Sequence, residues 1–527
     1  MTAQDHMRRV HLGALAACAI FLPWSTAYLS IAQMVLVANW IAWGVVAGDL
    51  KHRFRKGFTW PPALVAVSFF GLHALGLLWT SDLAWGLALC RILLPVLVFT
   101  VVLSSSPGSR EGELRTILLL GAWSAVVSVA VSFGLRAPTA ADHRDLSMFI
   151  SHIRLALLLC FAVVIFMRYL GRTWWQRLAH VLATLFAVYA LDRLQSVQGI
   201  FLLVLITMVF LWRNMAGWPR AARLVARSLM VLVPAMAIAW VAARMPGLRA
   251  TPVPEQSGLN AFTAGGEAYT FDATNPQREN GEHVWAWIAW GEVERTWPLR
   301  SDRSLEGSSD RGDPMRGTLV RYMTSLGLRK DSLGVMALSE ADVRAIERGV
   351  TNAHAQGSRG MRRRMDAVLL EMGEYAAYGR ADGHSLSMRL EYWRAGIAIV
   401  KRHWAMGVGT GDTQRAFDEQ YARMGTSLAP QWRHRAHNQY LTLAISFGIF
   451  GLLWSLYSWW WPARCLGAWR DPRFIAWAII FAVGCLTDDT IETQAGATFF
   501  ALYYALLVFS PVRDPASDDG VSSADRT

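Results

Sequence analysis

Arg433-His434-Arg435-Ala436-His437-Asn438-Gln439-Tyr440-Leu441 is the stretch on which the fold turns, because a long polar segment ends there and an apolar run begins. The apolar run continues to about residue 459, long enough as a helix to cross a hydrocarbon core of about 30 Å. A titratable imidazole at the mouth of a span, among arginines and carboxamides, is a candidate for acid–base chemistry.

Outward from this junction, apolar runs lie near 11–27, 29–48, 60–79, 84–104, 116–134, 152–170, 178–192, 197–213 and 226–243. After the junction they resume at 437–459, 472–487 and 496–511. Each approaches the roughly 17–25 residues that a spanning helix needs, which predicts about twelve spans. Composition agrees: 54% of the 527 residues are hydrophobic and only 17% are charged. The expected fold is therefore an all-α, polytopic transmembrane helix bundle. The net charge of +12 does not point to nucleic acid, because the basic residues are scattered through short connections instead of lining one face with stacking aromatics.

Five cysteines, Cys18, Cys90, Cys160, Cys465 and Cys485, sit in or beside apolar runs and form no disulfide or metal framework. Leu15-Ala16-Ala17-Cys18 imitates a lipoprotein signal, but the chain stays apolar through Trp24, so an uncleaved first span is expected. Lys51, Arg53, Arg55 and Lys56 make one connection basic, as do the groups at 168–177, 213–227 and 464–473; the alternating connections around Pro23, Ser81 and Asp488 lack Lys and Arg. The positive-inside rule then puts both termini in the cytoplasm and residues 244–436 on the far side. Trp174-Trp175 and Trp459-Trp460-Trp461 are expected at the membrane interface.

The expected organisation is a bundle over 1–243, of about nine spans by the same length criterion, a mainly helical loop domain over 244–436, a second set of spans over 437–511, and a tail over 512–527. Residues 250–315 read mostly as loop, with Val284–Trp290 either helix or strand. Ser339-Glu340-Ala341-Asp342 reads as a capping box opening a helix to about Gly349. Arg362–Tyr378 and Met388–Trp404 are further helical candidates, the last running into the tight turn Gly407-Val408-Gly409-Thr410-Gly411.

Several stretches together resemble one family. Trp393-Arg394-Ala395-Gly396, the Gly407–Gly411 turn, His437-Asn438-Gln439-Tyr440-Leu441 and Phe447-Gly448-Ile449-Phe450-Gly451 resemble the signature of the O-antigen ligase and polymerase superfamily. Phe149-Ile150-Ser151-His152-Ile153-Arg154-Leu155, Glu492-Thr493-Gln494-Ala495-Gly496 and the loop stretches 279–281, 318–322 and 327–331 are similar to its long-loop ligase branch. The resemblance implies a GT-C-like bundle and an inverting, metal-independent glycosyltransferase of the cell inner membrane. It would take a glycan from undecaprenyl diphosphate and join it to lipid A core oligosaccharide at the periplasmic face, with no cofactor. An O-antigen polymerase or a protein O-oligosaccharyltransferase shares the donor chemistry, and a transporter of lipid-linked glycan is the non-enzymatic alternative.

An acceptor hydroxyl needs a base, for which His437 is the candidate, with Asn438 as its orienter. The lipid diphosphate leaving group gathers negative charge that arginine forks can stabilise. Arg154, Arg389, Arg433, Arg435 and Arg91 are candidates for that role, with His152 and Gln494 as further substrate-binding residues. An arginine inside a span costs about 2.5–3.5 kcal/mol on insertion scales, which makes Arg91 conspicuous. Where the family carries a Ser-Arg pair, this chain has Ser196-Val197, and Arg193 or Arg154 would supply the cation. His434 and His437 form an H-x-x-H pair, but no third ligand accompanies them and no metal is expected.

Overall fold

The computed structural model describes residues 2–136, 143–244, 262–272, 275, 277–279, 282–310, 312–353, 368, 371, 372, 375, 381, 385–426 and 428–511. In chain order the helices of the first part are α1 (Ala3–Phe21), α2 (Thr26–Ala47), α3 (Leu50–Thr59), α4 (Pro61–Leu75), α5 (Leu83–Ser105), α6 (Glu111–Arg136), α7 (His152–Arg168), α8 (Trp174–Arg193), α9 (Val197–Asn214) and α10 (Arg220–Arg244). There follow α11 (Trp290–Thr296), α12 (Met315–Ser325), α13 (Ser332–Met336), α14 (Glu340–Glu347), α15 (Ser385–Arg402), α16 (Thr413–Met424), α17 (Gln439–Cys465), α18 (Pro472–Thr487) and α19 (Gln494–Val508).

The protein is an all-α polytopic membrane protein. Among the described residues six helices are long and apolar enough to cross a membrane by length and composition: α2, α4 with its extension to Leu78, α5, α6, α9 and α17; α18 and α19 are shorter apolar helices. A helix also stands on each of the remaining apolar runs. Among these, α1 and α8 carry charges at their ends and α7 is 17 residues long. Large apolar side chains such as Met34, Val45, Leu185 and Phe201 are more than half exposed. That suits contact with lipid tails, whereas water would penalise it.

Local chemistry sets the ends. The Thr173 side chain accepts from the Gln176 N–H in a capping box that opens α8, and Asp82 Oδ1 accepts from the Trp85 N–H at 2.9 Å to open α5. One element was not foreseen: the basic connection after residue 50 is itself a helix, α3. Its Arg53 is buried, donating to Asp49 Oδ1 at 2.7 Å with its guanidinium over the Trp43 ring.

The chain divides into two compact units, residues 1–213 with 389–527 and residues 214–388. In the first unit α19 is the hub. Every residue from Ala495 to Val508 is buried, as expected of a helix apolar on all sides, and it packs chiefly on α5. Trp459 packs against this core, 5.1 Å from the Phe69 ring and 5.3 Å from Phe500, whereas Trp460, about 100° further round the helix, is exposed.

Helix α17 is broken at Gly448, whose φ of 69° and ψ of −173° suit glycine alone. The loop after α15 fills the break: the Val408 and Gly409 N–H groups donate to the Ile445 and Ser446 carbonyls at 2.9 Å, and the Ile449 N–H donates to the Trp404 carbonyl at 2.8 Å. A Cβ on Gly407 would stand 2.3 Å from Phe447 N and one on Gly448 2.2 Å from the Ala405 carbonyl oxygen. The glycine turn is thus a device for close backbone approach, as its sequence suggested.

In the second unit, Val293, Trp297, Met315, Leu319, Tyr322, Met323, Val335 and Ile346 form a core of their own. The ambiguous run at 284–290 resolves into both forms: Ala286–Ile288 is a strand paired antiparallel with Thr270–Phe271, and α11 starts at Trp290. Arg278–Glu279 pairs with Glu282–His283 in a second minimal sheet. The capping box at Ser339 is present and opens α14. The helical candidate at 362–378 falls almost wholly outside the described residues.

Candidate active site

His437 sits between the loop and α17 with φ 45°, in the left-handed region. Such a conformation costs a non-glycine residue of order 1–3 kcal/mol and persists where its surroundings fix it. They do so on both sides. After it, Asn438 is the N-cap of α17, its Oδ1 accepting from the Leu441 N–H at 3.1 Å. Before it, the Ala436 carbonyl accepts from Trp393 Nε1 at 3.0 Å and the His434 carbonyl from the Tyr421 hydroxyl at 2.7 Å.

The first turn of α17 holds a second strand of the site. Gln439 Oε1 accepts from the Ile491 N–H at 3.0 Å, and the Thr442 hydroxyl donates to Asp489 Oδ1 at 2.7 Å. This clamps the turn Asp488–Glu492, between α18 and α19, against the histidine. Asp488 Oδ1 lies 3.5 Å from His437 Nδ1, long for a hydrogen bond but well within electrostatic reach. Asp488 Oδ2 lies 2.7 Å from Arg154 Nη2, in the first turn of α7. That approach is off the hydrogen-bonding direction, since among the described residues neither Asp488 Oδ2 nor Arg154 Nε has a hydrogen-bond partner although both are buried.

Burial by itself would raise the Asp488 carboxyl; the nearby His437 ring and the charges of Arg154 and Arg389 outweigh it and hold the group below its ordinary range. Asp488 is therefore a carboxylate near neutral pH. His434 is lowered, by burial first and then by the neighbouring His437. Glu492 answers differently: burial raises it above its ordinary range against the pull of Arg435, with which it is paired. The Arg435 guanidinium in turn lies 5.2 Å above the Trp85 ring at the start of α5. The His437 side chain is 40% exposed, whereas Asp488 is 7% exposed, so the ring is reachable and its partner is shielded.

Of the residues singled out from sequence, His437, Arg154, Arg389 and Arg435 meet at this acidic turn. Asn438 serves as a helix cap. Arg433 spends its Nε on the Leu428 carbonyl at 2.9 Å, holding the loop. His152 is the first residue of α7, two before Arg154. Arg193 is exposed at the end of α8, with no hydrogen bond or ion pair among the described residues, and Ser196 accepts from the Gly199 N–H at 3.1 Å. Gln494 donates from Nε2 to Ser30 Oγ at 2.5 Å, tying α19 to α2, and with Arg91 it lines a separate groove. Sequence reasoning missed Asp488, Asp489 and Trp85. The signal was there: two adjacent carboxylates at a span's end, in a connection without Lys or Arg.

Residues 335–456 match the family model described as O-antigen ligase. The matched residues contain the glycine turn, His437 and the first turn of α17, while Arg154 and Asp488 lie outside them. No curated protein matches the chain. The family match supports an O-antigen ligase assignment, and with it a membrane enzyme of the O-antigen ligase or polymerase type.

Proposed function

We propose, starting from that family assignment, that the protein transfers a glycan from undecaprenyl diphosphate to lipid A core oligosaccharide, with His437 as general base. The observation that carries this reading is the exposed His437 ring backed at Nδ1 by the buried carboxylate of Asp488. With the Nδ1 proton turned towards Asp488, Nε2 is the acceptor, and the carboxylate stabilises the imidazolium that forms. The acceptor hydroxyl oxygen attacks the anomeric carbon of the donor sugar, its proton passes to Nε2, and the bond from that carbon to the diphosphate oxygen breaks. One displacement of this kind inverts the anomeric centre. The leaving electron pair stays on the diphosphate, where the guanidinium groups of Arg154 and Arg389 offset the charge. No step requires a metal. In this reading the protein sits in the cell inner membrane with both termini cytoplasmic, and residues 244–436 face the periplasm.

The test uses purified full-length protein with undecaprenyl-diphosphate-linked glycan and core lipid A in the presence of a chelator. The expected product is glycan on core lipid A, lost in His437→Ala and strongly reduced in Arg154→Ala. Glycan that lengthens on its own carrier would make the protein a polymerase, and wild-type turnover by His437→Ala would remove the base.

A further inference from the structure

A second feature of the first unit is independent of the transfer chemistry. A groove of about 640 Å³ runs between α2 and α5, lined by Ser30, Gln33, Met34, Val37 and Ile41 on one side, Arg91, Leu94, Pro95 and Val98 on the other, with Gln494 at one end. Its walls are mostly apolar, with Ser30, Gln33 and Gln494 as the neutral polar residues, yet it holds an exposed arginine that has no hydrogen-bond or ion-pair partner among the described residues. Pro95 adds a further polar vacancy, because it lacks the N–H that would bond the Arg91 carbonyl.

We infer that this groove seats one anionic phospholipid of the phosphatidylglycerol class, with its phosphate on Arg91 and an acyl chain along Met34–Ile41. Three observations choose this occupant. First, from Ser30 to Ile41 the α2 wall runs about 16 Å at 1.5 Å per residue, the length of much of an acyl chain. Second, the amide nitrogens of Gln33 and Gln494 are already used on Thr498 Oγ1 at 3.2 Å and Ser30 Oγ at 2.5 Å. No protein donor among the described residues reaches their carbonyl oxygens, which suits a headgroup that carries hydroxyls. Third, a single guanidinium matches one phosphodiester charge, whereas the arginines near Asp488 suit a diphosphate. The groove is also distinct from that cluster: Arg91 is six residues beyond Trp85, about 9 Å along α5 and about 120° around it.

Full-length protein reconstituted in phosphatidylcholine vesicles doped with phosphatidylglycerol, then released into detergent, is the material for the test, with retained lipid counted by native mass spectrometry. One phosphatidylglycerol should persist per wild-type chain, with retention falling at least tenfold in Arg91→Gln and recovering in Arg91→Lys. Val37→Trp, which fills the tail channel and leaves the charge alone, should lose the lipid as well, so the inference survives a misfolded Arg91 variant. Equal retention by wild type and Val37→Trp, or retention of phosphatidylcholine to the same degree, overturns it. Displacement of the phospholipid by equimolar undecaprenyl diphosphate, lost in Arg91→Gln, would hand the groove to the donor and also overturn it.

Discussion

Two buried carboxylates, one in each compact unit, are treated in opposite ways. Glu279, fully buried in the 214–388 unit, is closed: Arg321 donates to Oε1 from Nε at 2.6 Å and stands 2.5 Å away through Nη2, and Asn352 donates to Oε2 at 3.1 Å. Asp488 is almost as buried but open: one oxygen faces His437 at 3.5 Å and the other meets Arg154 off the bonding direction. A fully satisfied buried charge specifies a fold, and a partly satisfied one keeps field available for something that arrives later. The comparison therefore assigns Glu279 to stability and Asp488 to chemistry, and each half can be broken separately.

The largest effect belongs to Asp488. Asp488→Asn keeps the shape and removes the charge behind His437, so the rate of glycan transfer should fall about a thousandfold, about 4 kcal/mol in the barrier, within the usual range for acid–base machinery. The unfolding temperature should stay near that of wild type. A variant that keeps more than a tenth of the rate would place Asp488 with Glu279, as a structural charge.

Glu279→Ala should do the reverse. It leaves Arg321 facing a buried site without its counter-charge and should destabilise the unit by about 3 kcal/mol, read as a lower denaturant midpoint. Adding Arg321→Met should recover much of the loss, because the uncompensated charge goes with it. If the double variant is no better than the single one, Glu279 acts through its hydrogen bonds and not its charge.

Lys330 offers a pH test of the same unit. Its ammonium is buried and donates to the Ala286 carbonyl at 2.9 Å and the His283 carbonyl at 3.2 Å; burial lowers it from 10.5 to about 8, with Glu282 opposing. The folded value lies below the unfolded one, so the unfolded chain binds more protons between pH 8 and 10.5, and stability should rise with pH across that window. Between pH 7 and 9 the gain should be roughly 1–2 kcal/mol, and Lys330→Met should flatten it. A wild-type unfolding temperature that falls over the same interval would contradict the sign.

How much of this could be read in advance differs between the two units for a physical reason. Spans announce themselves by composition, so each of the apolar runs carries a helix, and the glycine turn declared a close approach that Gly407 and Gly448 provide. The proposed base, His437, stood out because it lies at the boundary of a polar segment and a span. Its partner did not, since Asp488 is some fifty residues later and reaches the site only when Gln439 and Thr442 clamp the turn that carries it. Arg91 was conspicuous as a charge inside a span, but the sequence could not tell that it faces a groove with Gln494 and not the acidic turn. In the second unit the amphipathic signals are short, and only contacts such as Glu279 with Arg321 fix which segments meet.

The smallest effect sharpens the division between cap and orienter at residue 438. The sequence suggested that Asn438 orients the histidine, whereas its Oδ1 accepts from the Leu441 N–H and so satisfies an orphan donor of α17. Asn438→Ala should cost about 1 kcal/mol of stability and less than a tenfold loss in transfer rate. Asn438→Ser, which can cap but cannot offer an amide to the imidazole, should return both to near wild type. If Ser restores the unfolding temperature and not the rate, the amide nitrogen acts on His437 after all, and the histidine has two orienting partners. If it restores both, the work of holding the ring falls to Asp488 alone, which is where the thousandfold loss should then be found.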